Sequence, residues 1–183
     1  EQKDEEYVKH LWEKFKEQNL VNSSYKKRIK FDKRLNKHGI PYKDSITYRF
    51  QSCSLPYFQK LMRKWYTFEG ESDHRGRYRK KTKIVPKDLK LTPIVLAYWI
   101  MDDGCFSQNS MKLYSQGFSK EDNFFLVKLF RESFGIEISL HRDNRIDKIG
   151  ERLMIYIPVK ETKKIVEIVR MYLIPSRSYK IGL

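Results

Sequence analysis

The segment LTPIVLAYWIMDDGCF, residues 91–106, constrains the fold most, because it predicts an apolar helix with clear signals at both ends. Thr92 suits the N-cap, Pro93 suits the first helical position, and Gly104 suits the residue that follows the last turn. The sequence therefore predicts a helix over residues 93–103.

Two adjacent carboxylates, Asp102 and Asp103, end this helix. The C-terminus of a helix carries partial negative charge, so each carboxylate there should cost roughly 0.3–1 kcal/mol, and lysine or arginine is the expected residue. We therefore expect positive charge nearby. Two interpretations stay open: an acid that caps a neighbouring helix or pairs with a surface lysine, and an acid that the helix end presents to a divalent cation such as magnesium, which prefers oxygen ligands.

The composition indicates a folded protein with a polyanionic partner. With 183 residues and 40% hydrophobic content, the chain can form one or two compact domains with a core. The net charge of +15, from 38 Lys and Arg against 23 Asp and Glu, favours nucleic acid as that partner. Aromatic residues are mixed through basic segments such as RGRYRKKTK, which favours nucleic acid over a membrane surface. No apolar run approaches the length of a membrane span, and Cys53 and Cys105 are too few and too far apart for a zinc site, so we expect free thiols.

The first half of the chain predicts a helix, two strands and a second helix. EYVKHLWEKFKEQ has apolar residues at helical spacing, and LPYFQKLMRKWY has a second apolar stripe. Between them, the polar and apolar residues alternate, which predicts strands over Lys26–Phe31 and Ser45–Ser52. The next segment, EGESDHRGRYRKKTK, is basic and contains glycine, so we expect a loop.

The second half repeats this order. Met111–Phe118 predicts a strand, and a capping box formed by Ser119 and Asp122 begins a helix. Ile136–His141 and Arg152–Ile157 alternate cleanly and predict a hairpin, which a final amphipathic helix follows.

Each half ends in a short basic tag, TKIV at Thr82–Val85 and YKIG at Tyr179–Gly182. Helix, extended pair and helix therefore occur twice, which indicates an internal repeat. The first copy lacks an opening helix and strand equivalent to those at 93–103 and 111–118. We expect an incomplete N-terminal repeat over residues 1–90 and a C-terminal repeat over residues 91–183.

LAYWIMDDG, Leu96–Gly104, resembles the signature helix of the LAGLIDADG homing endonucleases, in the branch typical of mitochondrial intron-encoded enzymes and maturases. LTP before it and YLIPSRSYKI near the end of the chain are also similar to that branch. The resemblance implies an α/β (α+β) fold of two αββαββα repeats, whose curved antiparallel sheets form a saddle over nucleic acid. It also implies that Asp103 binds Mg²⁺ and that Lys83 and Lys180 flank the catalytic site.

Two features depart from the family pattern. Tyr98 stands where the signature helix has a small glycine, and the first signature helix, with its metal-binding acid, is not in this sequence. Two functions therefore stay open. One is a Mg²⁺-dependent, site-specific endonuclease of double-stranded DNA, completed by a missing N-terminal segment. The other is a catalytically inactive RNA-binding protein, such as an intron maturase, a splicing factor or a component of the mitochondrial ribosome, within a larger ribonucleoprotein assembly.

The polar faces of the predicted strands and their loops should contact the nucleic acid, with cations on phosphates and Gln51 or an arginine on a base edge. The residues we expect there are Lys30, Arg49, Gln51, Arg142, Arg145, Arg152 and Tyr156. The partner is double-stranded DNA or structured RNA, and the resemblance implies a mitochondrial or other organellar location. The target site stays open at this point.

Overall fold

The computed structural model describes residues 2–31, 34, 38–40, 43–72, 78–143 and 152–183. The chain forms two compact units, Glu1–Leu55 and Pro56–Leu183, each built from helices and antiparallel strands. The expected mixed α/β class with antiparallel pairing is confirmed. No helix in the described ranges is long and apolar enough to cross a membrane.

The first unit consists of one helix and a two-stranded sheet. Helix α1 spans Glu5–Glu17, and strands β1 (Lys26–Lys30) and β2 (Ser45–Arg49) pair antiparallel. Asp4 caps α1 by accepting a hydrogen bond from the Tyr7 backbone N–H at 3.0 Å. Both predicted strands are confirmed, each ending earlier than expected.

The second unit begins with helix α2 (Pro56–Trp65), which runs directly into a β-ribbon of strands β3 (Tyr66–Ser72) and β4 (Tyr78–Lys83). The prediction of a loop over residues 69–83 was wrong for residues 69–72 and 78–83, and residues 73–77 lie outside the described residues. YTFEGES and YRKKTK contain threonine and aromatic residues, which favour strands, and the opposite charges of Glu69 and Lys80 face each other across the ribbon. Such cross-strand pairs stabilise a ribbon that a charge count alone describes as a solvated loop.

The rest of the second unit contains one four-stranded antiparallel sheet, in the order β5-β6-β8-β7, covered by helices. Its elements are α3 (Pro93–Asp103), β5 (Gly104–Ser107), β6 (Ser110–Leu113), α4 (Lys120–Phe134), β7 (Ser139–Arg142), β8 (Leu153–Ile157), α5 (Val159–Val169), and 3₁₀ turns at Arg170–Tyr172 and Pro175–Ile181. The predicted hairpin is therefore confirmed.

Local signals set the helix ends as the sequence predicts. Thr92 accepts a hydrogen bond from the Val95 N–H at 3.4 Å at the start of α3. At the start of α4, Ser119 accepts one from the Asp122 N–H at 3.0 Å. Gly135 ends α4 with φ +62°, a left-handed conformation that favours glycine.

One face of the four-stranded sheet forms the core. Met111, Leu113, Ile155 and Ile157 are fully buried on that face and belong to the same apolar cluster as Ile100 of α3. Burying each such side chain contributes about 1.5–3 kcal/mol, so this face fixes the register of the strands. The opposite face carries the intervening residues, among them Lys112 and Tyr156.

The predicted strands of this unit also differ in their bounds, and side-chain hydrogen bonds explain the largest difference. The strand predicted over 111–118 ends at Leu113, because buried Ser115 donates to Asn123 Oδ1 at 2.6 Å, and Asn123 donates to the Ser119 carbonyl at 2.9 Å. These bonds hold the chain as a turn on the start of α4. The strand predicted from Ile136 begins at Ser139. Strand β5 was not predicted.

Helix, antiparallel pair and helix recur in the order that the sequence predicts, as α1-β1-β2-α2 and as α4-β7-β8-α5. The compact units divide at Leu55, within the first copy. The repeat boundary near residue 90 describes an internal duplication and stays a prediction.

Candidate functional site

Asp103 is the last residue of α3 and is exposed, although its carboxylate is partly desolvated by neighbouring groups. The chain continues without a loop into β5, which returns as β6, so that the Tyr114 N–H donates to the Asp103 carbonyl at 3.1 Å. Gly104 is required at this junction, because a Cβ atom there would lie 2.5 Å from the Ile100 carbonyl oxygen. The end of α3 is thus fixed against one edge of the sheet.

Two cations bind the carbonyl groups at the end of α3. The buried Arg177 donates from Nη1 to the Met101 carbonyl at 3.1 Å, and Lys180 donates from Nζ to the Gly104 carbonyl at 2.7 Å. Both come from the final 3₁₀ turn. They supply the positive charge that a helix ending in two carboxylates requires.

The Asp103 carboxylate lies in a mixed electrostatic environment. Partial burial raises its pKa above the ordinary aspartate value, and the neighbouring Asp102 raises it further. The ammonium groups of Lys83 and Lys180 oppose both effects and lower this pKa. Lys83 and Lys180, which lie 20 and 77 positions from Asp103 in the sequence, are therefore both within electrostatic reach of its carboxylate.

Lys83 ends β4, and the residues after it are anchored to α4. The buried Asp122 carboxylate accepts a hydrogen bond from the Val85 N–H at 3.1 Å and another from Lys87 Nζ at 3.0 Å. The stem of Lys83 passes over Gly117, where an added Cβ would lie 3.4 Å from Lys83 Cδ. Asp122 and Gly117 thus restrict where the Lys83 ammonium group can lie.

Lys180 is positioned from the other side of the site by Gly182. Gly182 has φ +81°, and an added Cβ would lie 2.5 Å from ring atoms of Phe106 on β5. A side chain at this position would be strained and would also displace the Phe106 ring. The glycine of the YKIG tag therefore holds the final turn against the sheet.

A cavity of about 210 Å³ adjoins Asp103 and Lys83. Its lining is mainly aromatic and aliphatic, and includes Trp65, Trp99 and Phe118. Apolar walls beside a carboxylate and an ammonium group reduce the local water and strengthen the electrostatic interactions of both groups.

Tyr156 lies on the outward face of the four-stranded sheet, as predicted. The strand register aligns Lys112 and Ser139 with it on neighbouring strands, and its ring stacks on His141 with centroids 4.3 Å apart. Sequence analysis missed Lys112 and His141. The alternation of MKLY carried the signal for Lys112, because Met111 and Leu113 face the core.

The structure describes two of the three arginines predicted in this unit, Arg142 and Arg152. Arg142 pairs with Leu153 and shares the parity of Leu140, so it lies on the side of the sheet opposite Tyr156. Arg152 is half-buried before β8, and its carbonyl accepts a hydrogen bond from the Asp143 N–H at 2.8 Å. Arg145 lies outside the described residues.

The first unit presents a cationic face. Lys30 and Arg49 lie on the same side of the β1–β2 sheet, together with Lys26 and Arg28, which sequence analysis missed. All four residues are exposed. Gln51 is also exposed, but it lies just beyond the end of β2.

Comparison with known proteins gives the family. The LAGLIDADG DNA endonuclease family matches residues 1–165. The chain belongs to this family. Cytochrome b mRNA maturase bI2 of Saccharomyces cerevisiae is 30% identical over 138 residues, which are 73% of this chain and 30% of the maturase. Probable intron-encoded endonuclease 1 of Wickerhamomyces canadensis is 33% identical over 128 residues, 63% of this chain and 53% of that protein.

A solved structure has the same LAGLIDADG fold. The homing endonuclease I-WcaI bound to its DNA recognition sequence superposes with a TM-score of 0.74 at 27% identity, over 98% of this chain and 72% of that one. This chain spans 30% of the Saccharomyces maturase and 41% of a second cytochrome b mRNA maturase bI2, from Debaryomyces hansenii.

LAGLIDADG endonucleases generally use a divalent metal ion, and the donors at the end of α3 fit part of such a site. Among the described residues, no group of three or more His, Cys, Asp or Glu could hold a metal ion. Magnesium, however, is commonly bound through one or two carboxylates together with water and substrate phosphates. The exposed Asp103 carboxylate fits one protein ligand in such a shared site.

Proposed function

We propose that this chain provides one half of the catalytic site of a magnesium-dependent, site-specific endonuclease of double-stranded DNA. The observation that carries the proposal is the convergence of Lys83 and Lys180 on Asp103 at the end of α3. A carboxylate flanked by two cations from different elements suits a site that must hold both a metal ion and a phosphate.

Each residue of the site has a distinct part in this proposal. Asp103 supplies a carboxylate oxygen for Mg²⁺, which when bound activates water and neutralises charge on the phosphate. Lys83 and Lys180 bind the phosphate oxygens and stabilise their developing negative charge. Lys180 also holds the Gly104 carbonyl at 2.7 Å, which restrains its ammonium group near Asp103.

A second carboxylate would come from another helix packed beside α3. The exposed fraction of Ile94 is 48% and that of Val95 is 39%, so α3 presents large apolar side chains that a neighbouring helix would cover. A further segment or another chain would supply this second helix. Its acid would pair with Asp103 to complete the metal site.

The cationic sheet faces provide the binding surface in this proposal. Lys26, Arg28, Lys30 and Arg49 on the first unit would bind phosphates, and Tyr156 with Lys112 would do so on the second. The net charge of +15 supports strong, salt-dependent attraction to duplex DNA. I-WcaI, which has the same fold, is bound to its DNA recognition sequence.

A cleavage selection tests the proposal. The full-length protein that contains this chain is incubated with a barcoded library of random duplexes, with Mg²⁺ or with EDTA, and the new ends are sequenced. We expect Mg²⁺-dependent ends at one recognisable sequence. Tight, salt-dependent duplex binding without any cleavage would reject the nuclease and leave the second candidate below.

The second candidate is an RNA-binding protein without nuclease activity, acting as an intron maturase, a splicing factor or a mitochondrial ribosome component. Similarity to two cytochrome b mRNA maturases favours it, as does the presence of one signature helix, α3, among the described residues. In that case the cationic faces would bind structured RNA. For either candidate we propose a mitochondrial or other organellar location, which imaging of the tagged protein would test.

A further inference from the structure

The β3–β4 ribbon separates its residues into two unlike faces. Antiparallel partners lie on the same face, and the face alternates along each strand. The register pairs Glu69 with Lys80 on one face. The other face carries the pairs Tyr66↔Lys83 and Phe68↔Lys81, and these four positions hold no acidic residue.

The four paired positions of the first face, Thr67, Glu69, Lys80 and Thr82, carry no net charge. Lys80 Nζ lies 2.8 Å from Glu69 Oε2, and the neighbouring cross-strand pair consists of Thr67 and Thr82. Glu69 therefore neutralises Lys80 on the face away from the rings of Tyr66 and Phe68. The positive charge of Lys81 and Lys83 is left concentrated on the aromatic face.

The aromatic face combines ring surfaces with exposed ammonium groups. Lys81 Nζ lies 5.1 Å from the centre of the Tyr66 ring, and both lysines are exposed beside the half-buried rings of Tyr66 and Phe68. Residues on one face of a strand recur about every 6.8 Å, so the two rings form successive steps of a platform. Lys83 connects this platform to Asp103, because both residues line the same cavity.

We propose that this face, formed by Tyr66, Phe68, Lys81 and Lys83, binds an unpaired stretch of a nucleic-acid strand beside Asp103. Aromatic rings stack on bases, and ammonium groups bind the phosphates between them. In a duplex the base faces are covered by their neighbours, so rings on a ribbon gain contact from unpaired bases. The inference rests on the proposed function, because it specifies that one part of the nucleic-acid-binding surface binds unpaired strand.

The test compares matched variants of the full-length protein by fluorescence anisotropy. The probes are labelled oligothymidylate, oligouridylate and a random duplex of equal length. Phe68→Ala should weaken binding to an oligonucleotide by about 5- to 150-fold and leave duplex affinity unchanged. Lys81→Gln should flatten the salt dependence for single strands by about 0.7 in slope, whereas Lys80→Gln, with the same charge change on the opposite face, should not.

Phe68→Trp keeps a ring at this position and reports stacking directly. Its added tryptophan emission should be quenched by either oligonucleotide, and the stronger of the two responses tells whether DNA or RNA is the better source of the strand. The inference would be overturned if Phe68→Ala, Lys81→Gln and Lys80→Gln bound single strands with equal affinity, or if no oligonucleotide quenched Phe68→Trp. Duplex binding in the same experiments would still support the proposed function. If the wild-type protein bound neither strands nor duplex, the proposed function itself would fail.

Discussion

Asp122→Ala should destabilise the second unit by about 2–4 kcal/mol. The change removes the acceptor of the Val85 N–H, and that residue is only 2% exposed, so a buried donor loses its partner at a cost of about 1–3 kcal/mol. The ion pair with Lys87 adds less than about 1 kcal/mol, because the side chain of Lys87 is 68% exposed. Loss of an acid from the first turn of α4 adds roughly 0.3–1 kcal/mol.

Asp122→Asn is the matched control, because its amide oxygen can still accept the Val85 N–H. In urea unfolding followed by circular dichroism, the free energy of unfolding of this variant should be about 1–3 kcal/mol higher than that of Asp122→Ala, with the same m-value for both. Hydrogen exchange gives a local readout, in which the Val85 amide loses protection in Asp122→Ala and keeps it in Asp122→Asn. Equal stability and equal Val85 exchange in the two variants would refute the claim that Asp122 anchors the segment after Lys83.

Further predictions concern stability and binding. Asp103→Asn should raise Tm at pH 7 by about 1–3 °C, because the pKa of Asp103 is raised in the folded state and its ionised carboxylate therefore destabilises the fold. This gain should vanish when the pH falls below the pKa of an unfolded aspartate, and a lower Tm for the variant at pH 7 would contradict the prediction. Gly182→Ala should lower the free energy of unfolding in urea by about 1–3 kcal/mol more than Gly135→Ala does. Both glycines have positive φ, but of the two only Gly182 would place a Cβ atom against the Phe106 ring, and equal losses would refute this clash. Lys26→Gln should reduce the salt slope of duplex binding by about 0.9, and Lys14→Gln, whose lysine pairs with an acid on α1, should leave it unchanged.

Local chemistry explains why the sequence predicts much of the secondary structure. The ends of α3 depend on the cap Thr92 and on Gly104, both adjacent to the helix, and the β7–β8 hairpin follows from alternation within each strand. The prediction failed where a side-chain hydrogen bond outside the strand sets the strand end. The strand predicted over 111–118 stops early because Ser115 bonds to Asn123, a contact that strand periodicity does not encode.

The grouping of Asp103 with Lys83 and Lys180 came from family resemblance, because these residues meet only through the tertiary fold. Arg142, which the sequence predicted in the hairpin loop, instead ends β7, where its pairing with Leu153 places it on the side of the sheet opposite Tyr156. The β3–β4 ribbon was missed because its many charges suggested a solvated loop, although cross-strand pairing neutralises one of its faces.

The most direct test of the central claim compares Asp103→Asn with Asp102→Asn in the full-length protein, on the duplex target that the cleavage selection identifies. The two residues are adjacent but about 100° apart around the helix, so only one carboxylate can face Lys83 and Lys180 closely. We predict that Asp103→Asn lowers the single-turnover cleavage rate by roughly 100-fold or more, with duplex affinity in metal-free buffer unchanged, and that Asp102→Asn retains most of the cleavage activity. Cleavage by Asp103→Asn at the wild-type rate, or an equal loss in both variants, would contradict the assignment of Asp103 to the catalytic site.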